Sequence, residues 1–582
     1  MLSRKTFRSQ ACFNRQPPTP VDSAKRFAGL VFLSIIMTFD LAAAGRSSDD
    51  ARARQFIREH EATIRPLEKA SNLAWWNANI SGKDEDFKAK ESAQNKLDEA
   101  LSDRARFAEL KAIKGSTLLD AILRREIDVL YLMYLEKQVD PDLLKKITAK
   151  ANAIEQAFNV FRAKVGGKEM TDSEVRKVLK ESKDSAQRKA VWEASKAVGG
   201  AVEKDLKELV GFRNEAARQL GFKDYHVMQL YLNEQSQDQV LALFDRLDEL
   251  TREPFRRAKA EIDAKLAQNC GVSVEELRPW HYHDPFFQEP PAVSGTDLDA
   301  TYARVDILKL CRDYYAGIGL PIDDVIARSD LYEKPGKSPH AFCTDIDREG
   351  DVRVLANIVP NEYWMNTMLH ELGHSVYSSK NIPRKLPYIL RTEAHILTTE
   401  GVAMMFERAA KSADWLQKMG VPVADPNGFN EAGSKMLRNQ LLIFSRWCQV
   451  MLRFEKELYA NPDQDLNKLW WDLVEKYQMV KRPEGRNAPD YASKIHIVVS
   501  PAYYHNYMMG QLFASQVHHT IVREVLKTDP DHALYVGHKS VGRYMKSRVF
   551  GPGRKLPWNE LTRFATGEEL NPKAFAEDFR GK

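Results

Sequence analysis

His370-Glu371-Leu372-Gly373-His374 sets two imidazoles four residues apart, with a carboxylate beside the first. On a helix such positions share one face, so both rings can grip one metal ion from the same side. Glu371 then faces the open coordination position, where a carboxylate can take a proton from water. The H-E-x-x-H pattern is short enough to arise by chance, so its meaning rests on its surroundings. A catalytic zinc site usually takes three protein ligands. Glu393, Glu400 and Glu407 follow at seven-residue steps, on a helix expected from about Thr392 to Ala410. Periodicity puts all three on one face and does not choose among them. Glu400 and Glu407 flank the apolar run Gly401 to Phe406, where carboxylates are costly without partners.

The elements that must hold these groups are also legible. Pro360-Asn361 offers a turn and an N-cap, and Met365, Met368, Leu369, Leu372 and Val376 form the apolar side of the helix that follows. Just upstream, Ala341 to Cys343 and Val352 to Leu355 flank the turn signal Asp347-Arg348-Glu349-Gly350, which predicts a short β-hairpin. From Asp50 to about Asn269 nearly everything reads as amphipathic helix, for example Ser185 to Lys196 and Gln237 to Leu266. Pro279 to Thr296 is rich in proline and aromatics and reads as irregular but packed. Its His281 and His283 read as packing residues, and His518-His519, in an apolar helix, as structural.

The totals fit a soluble globular protein: 582 residues, 43% hydrophobic and 29% charged. Of the net charge of +5, residues 1–44 carry +4, so the near-neutral remainder has no footprint for nucleic acid. Lys25-Arg26, the apolar run Phe27 to Phe39 and Ala42-Ala43-Ala44 before Gly45 predict a cleaved export signal over 1–44. The run is short for a membrane span, so a periplasmic or secreted chain with no stable span is expected. Cys270, Cys311, Cys343 and Cys448 form no CxxC pair, and at most one disulfide is expected.

The stretch from His370 to Glu407 resembles the glutamate-type zinc peptidases related to angiotensin-converting enzyme. Trp470-Trp471-Asp472-Leu473, Lys476-Tyr477-Gln478, Lys494-Ile495-His496, the segment Pro501 to Tyr507 and Pro339-His340-Ala341 carry the resemblance further, with weaker similarity at Trp75-Trp76-Asn77. It implies a mainly α-helical fold: a large two-lobed metallopeptidase with a deep central channel and a short β-hairpin beside the zinc helix. Residues 45–582 would form one catalytic domain, active as a monomer. The resemblance implies one Zn²⁺ held by His370, His374 and Glu400, with Glu371 as general base. Tyr507 and His496 would stabilise the oxyanion, and Lys494 with Tyr503 or Tyr504 would hold a peptide's C-terminal carboxylate. His340 and Ala341 would pair with the peptide backbone. The activity implied is release of C-terminal dipeptides from short peptides; single-residue release, internal cleavage and inactive peptide binding are the alternatives.

Departures from the family pattern are specific. The hairpin-bracketing disulfide falls on Pro339 and Asn357, and the arginines for activating chloride fall on Val474 and on Asn506 or His505. A chloride requirement is therefore in question. Met404 stands where the family has an aspartate one turn past the third ligand, and Tyr282 where it has a carboxylate-binding glutamine.

Overall fold

The computed structural model describes residues 28–291, 298–529 and 533–579, with side chains from residue 48 onward. The expected leader, with its cleavage site at Ala44-Gly45, lies outside the residues whose side chains are described. The chain is mainly helical, with two small two-stranded sheets among the described residues. Aspartate is the recurrent helix start: Asp103, Asp120, Asp140 and Asp184 each accept backbone N–H groups of the first turn. Gly271, at φ +65°, closes the helix Gln237–Cys270 in the left-handed conformation that suits glycine. Among the described residues no helix is long and apolar enough to cross a membrane.

One large core runs from Ile154 to Phe579 and contains the apolar side of the H-E-x-x-H helix. A separate core joins the helices Ala28–Ser81, Arg104–Lys114 and Ala121–Glu136, and it touches Ile389 and Leu390. The irregular segment after Pro279 is packed, as expected: Trp280 lies 6.0 Å from Trp192 and Phe286 5.4 Å from Trp447, ring to ring. His281 accepts the Arg278 N–H at 2.9 Å and meets Ser185 Oγ at 2.8 Å.

The first hairpin, β1 (Ala163–Val165) with β2 (Lys168–Met170), interrupts a region expected to be almost entirely helical. Gly166 and Gly167, at φ +58° and +80°, supply the turn between them. The expected hairpin is β3 (Phe342–Asp345) paired antiparallel with β4 (Val352–Leu355). Where the family has its disulfide, Asn357 Nδ2 donates to the Ser338 carbonyl at 3.0 Å. Beside it the buried Lys337 ammonium donates to Asp330 Oδ1 and to the Tyr332 carbonyl, both at 2.7 Å, and also to the Ala356 carbonyl. The four described cysteines are free. Trp75, near the end of the first helix, packs 4.2 Å from Phe342 on this hairpin.

Three helices cross at glycines around the motif: Glu362–Val376, Ile396–Glu407 and Tyr504–Thr520. A Cβ on Gly373 would lie 2.7 Å from the Ala403 Cα, and one on Gly401 2.7 Å from the Gly510 carbonyl oxygen. A Cβ on Gly510 would come within 3.2 Å of the Glu400 Cβ. At Gly373 and Gly401 only hydrogen permits so close an approach, and at Gly510 a larger side chain would have to push its neighbours aside.

Candidate metal centre

Asn361 caps the H-E-x-x-H helix, its Oδ1 accepting the Trp364 N–H at 2.8 Å. Met365, Met368, Leu369, Leu372 and Val376 are buried, which fixes the rotation of the helix and turns His370 and His374 to the neighbouring helix. The two Nε2 atoms stand 3.1 Å apart. Glu400 Oε2 lies 3.6 Å from the first and 3.9 Å from the second. Among the described residues these three side chains form a group able to hold a metal ion, with donor atoms within 4.8 Å of one another.

The outward nitrogens are both engaged. His370 Nδ1 meets Glu407 Oε2 at 2.5 Å and His374 Nδ1 meets Thr399 Oγ1 at 2.8 Å. Protons on the Nδ1 atoms leave both Nε2 lone pairs converging with Glu400, a donor set that fits zinc. Burial pushes His374 down to about 4, so its imidazole is neutral. Burial pushes the Glu400 carboxyl up, but the two imidazoles beside it more than offset this and hold it below the usual carboxylate range. The departure at Met404 is thereby compensated: Glu407 and Thr399 do the orienting. Glu407→Ala should weaken zinc binding roughly 10–100-fold, read by competition with a chromophoric chelator. Unchanged affinity would show that the His370–Glu407 bond does not support the metal.

Glu393 is not on the helical face expected for it. The helix begins at Ile396, with His395 as its cap: the ring Nδ1 accepts the Leu397 N–H at 3.1 Å, and Thr398 Oγ1 accepts the His395 N–H at 3.2 Å. Glu393 lies in the preceding bend, bonded to Thr392 Oγ1 at 2.9 Å. Burial, with Asp345 nearby, pushes its carboxyl up to about 7.

Glu371 is 8% exposed, and burial pushes its carboxyl up to about 7. The Cys343 backbone of β3 lies close enough to offset part of that rise. The register identifies the free edge of β3: Ile346 N–H donates to the Asp351 carbonyl at 2.8 Å, and since alternate residues of a strand turn their backbone groups to the same side, Cys343 faces away from β4. Ala341 thus turns its N–H and C=O the same way as Cys343, away from β4, with His340 exposed beside it.

A cavity of about 940 Å³ is lined by Glu407, Tyr507, His496, Tyr504, Lys494 and Gln288, with Met404 on its wall. Lys494 Nζ donates to Gln288 Oε1 at 2.7 Å and lies 5.5 Å from the centre of the Tyr504 ring. Burial pushes this lysine down to about 8. Tyr504 is buried, whereas Tyr503 is half-buried and packs on Tyr507. Burial lowers His496 to about 4, and its Nδ1 is buried without a partner.

Tyr282 is not at this cavity. It is 2% exposed, donates to Asp263 Oδ1 at 2.9 Å and accepts from Lys259 Nζ at 2.7 Å. Gln288, six residues on, occupies the place beside Lys494. Sequence reasoning misses it because register cannot be counted through irregular chain. At the positions matching the family's arginines, Asn506 instead accepts from Gln235 Nε2 at 2.8 Å, and the Gln235 amide oxygen meets His505 Nε2 at 2.8 Å.

Two imidazoles on one helix and a carboxylate on the next, with Glu407 joining the first imidazole to a cavity, define a site of the glutamate metallopeptidase type. The chain belongs to the angiotensin-converting enzyme family, peptidase family M2, which it matches over residues 47–259 and 285–581. It is 22% identical over 444 residues to angiotensin-converting enzyme of Rattus norvegicus, covering 70% of this chain and 33% of that protein. Likeness to the enzymes of Mesocricetus auratus and Theromyzon tessulatum is also 22%, over 296 and 282 residues, or 48% and 46% of this chain. Those matches span 22% and 45% of the two relatives, less than half of each.

Proposed function

We propose that this chain is a zinc peptidyl-dipeptidase that releases C-terminal dipeptides from short peptides. The observation that carries the reading is one shared cavity: Glu407 and Tyr507, beside the metal-binding group, and Lys494, a buried cation, line the same space. His370, His374 and Glu400 would hold the ion. Bound there, zinc supplies Lewis acidity and a water whose pKa is lowered toward about 7.

The chain's own groups do the rest. Glu371 takes a proton from the attacking water and returns it to the leaving amine. The Tyr507 hydroxyl donates to the developing oxyanion. His496 joins it as a neutral imidazole: with Nδ1 buried and unpartnered, the proton belongs on Nε2, which leaves an unmet acceptor and not an unmet donor. Lys494, Gln288 and Tyr504 bind the peptide's C-terminal carboxylate and set how many residues lie beyond the scissile bond. Ala341 at the free edge of β3 pairs with the extended peptide backbone, beside His340. Residues 45–582 act as a single, monomeric catalytic unit, exported behind a leader at 1–44.

Amidating the C-terminus of a peptide substrate should lower kcat/KM roughly 100-fold, the order of a lost charge-assisted contact of about 3 kcal/mol. The Lys494 anchor is cationic below about pH 8, so the preference for free acid over amide should shrink as pH rises through that value. A preference of one at all pH values would remove the anchor. Mass spectrometry of a digested nonapeptide decides the register: dipeptides support the reading, whereas single residues or internal fragments replace it with carboxypeptidase or endopeptidase action.

A further inference from the structure

Four side chains at the cavity come from two neighbouring pieces of chain. Lys494 and His496 precede or begin the short helix His496–Val499, and Tyr504 and Tyr507 lie in the first turn of the helix Tyr504–Thr520. Each proposed pair takes one member from each piece: Lys494 with Tyr504 for the peptide's carboxylate, His496 with Tyr507 for the oxyanion. The two pieces meet closely, since Lys494 Nζ lies 5.5 Å and the His496 ring 5.1 Å from the centre of the Tyr504 ring. Both pairs therefore depend on the link between the pieces.

Two buried side chains from other helices hold that link. Arg213, on the helix Ser185–Gln219, donates to the Ile497 carbonyl at 3.0 Å and to the Val498 carbonyl. These carbonyls end the short helix, where no following turn accepts their bonding. Glu455, on the helix Pro426–Ala460, is 1% exposed and accepts the Ala502 N–H through Oε1 at 2.8 Å. Ala502 has φ +53°, a left-handed conformation that costs energy for any residue but glycine. Such strain persists only where the surroundings impose it, and it clusters at functional sites. Upstream of Ala502 the chain is fixed by Arg213; downstream, the helix is fixed where Gly510 crosses Gly401. Ala502 is thus the joint between two anchored pieces, and its torsion sets one against the other.

We infer that Glu455 is a positioning residue: by holding the Ala502 amide it keeps the left-handed joint in place and so sets Lys494 and His496 at the span from Tyr504 and Tyr507 that one peptide can bridge. The inference rests on the proposed peptidase reading for its purpose and on the Glu455–Ala502 bond and the Ala502 torsion for its structure.

The test is Glu455→Leu, which removes the acceptor and keeps the site filled with an apolar side chain. In the zinc-loaded enzyme kcat/KM for a peptide with a free C-terminus should fall roughly tenfold, because the two halves of the site no longer meet one substrate together. The preference for free acid over amide should shrink with it, a change that general loosening of the fold does not produce. Glu455→Gln keeps an acceptor oxygen and should stay within about twofold of the native rate. Glycine takes a positive φ without strain, so Ala502→Gly in the Glu455→Leu background should restore most of the lost rate. Should leucine fail to pack, Glu455→Ala, which only vacates space, carries the same expectations. A further readout needs neither metal nor turnover: in the metal-free protein the Ala502 amide should exchange with solvent at least roughly tenfold faster in Glu455→Leu and at the native rate in Glu455→Gln. An unchanged rate and acid preference, equal losses with Ala502 and with glycine at that position, or an unchanged Ala502 exchange rate overturns the inference. If the native protein releases no dipeptide, the proposed activity falls, and the exchange rate alone still decides whether Glu455 holds the joint.

Discussion

Glu371→Gln should lower kcat/KM by roughly 10³–10⁴-fold while the protein keeps one equivalent of zinc. The substitution is nearly isosteric, so the packing between β3 and the metal helix is preserved. What is lost is the ability to take a proton and hand it on. Because the same group serves attack and departure, both steps suffer, and raising the pH with external base should recover little. Metal content by atomic emission and turnover on one peptide check the two halves together. Turnover near the native rate with zinc bound would remove Glu371 as the base.

Glu400→Ala should cost far more zinc affinity than Glu407→Ala, at least roughly 10³-fold, or about 4 kcal/mol. Among the described residues, Glu400 alone has a carboxylate oxygen within 4 Å of both imidazole Nε2 atoms. Glu393→Ala, in the bend before the helix, should leave zinc bound. If Glu393→Ala loses the metal and Glu400→Ala retains it, the ligand assignment is wrong. The comparison controls for burial, since both carboxylates are partly buried and a general loss of folding would strike them alike.

The parts legible in the sequence are those fixed by local rules. Asn361 as a cap, the apolar side of the metal helix and the β3–β4 turn all follow from spacing and residue type. Sequence pattern starts the second site helix three or four residues too early, because His395 caps it with a ring nitrogen, outside the usual Ser, Thr, Asp and Asn repertoire. That error puts Glu393 on a face it does not occupy. Gly166-Gly167 is a hairpin signal, masked by the long helical stretch around it. Tyr282 and Gln288 cannot be told apart by counting, since irregular chain has no period. The meaning of Gly373, Gly401 and Gly510 is hidden for another reason: each is small because of a residue distant in sequence, and no local pattern announces such a contact. The resemblance points to Glu400, but the glycines explain how it reaches the histidines.

The Asn357 and Lys337 contacts beside the hairpin have a further consequence. Relatives that close this turn with a sulfur–sulfur bond tie substrate alignment to an oxidising environment. Here the same closure is made of amide and ammonium hydrogen bonds, and no thiol takes part in it. The edge that would align a peptide is therefore complete as soon as the chain folds, independent of electron supply, and its weakness is shifted to whatever neutralises one buried lysine.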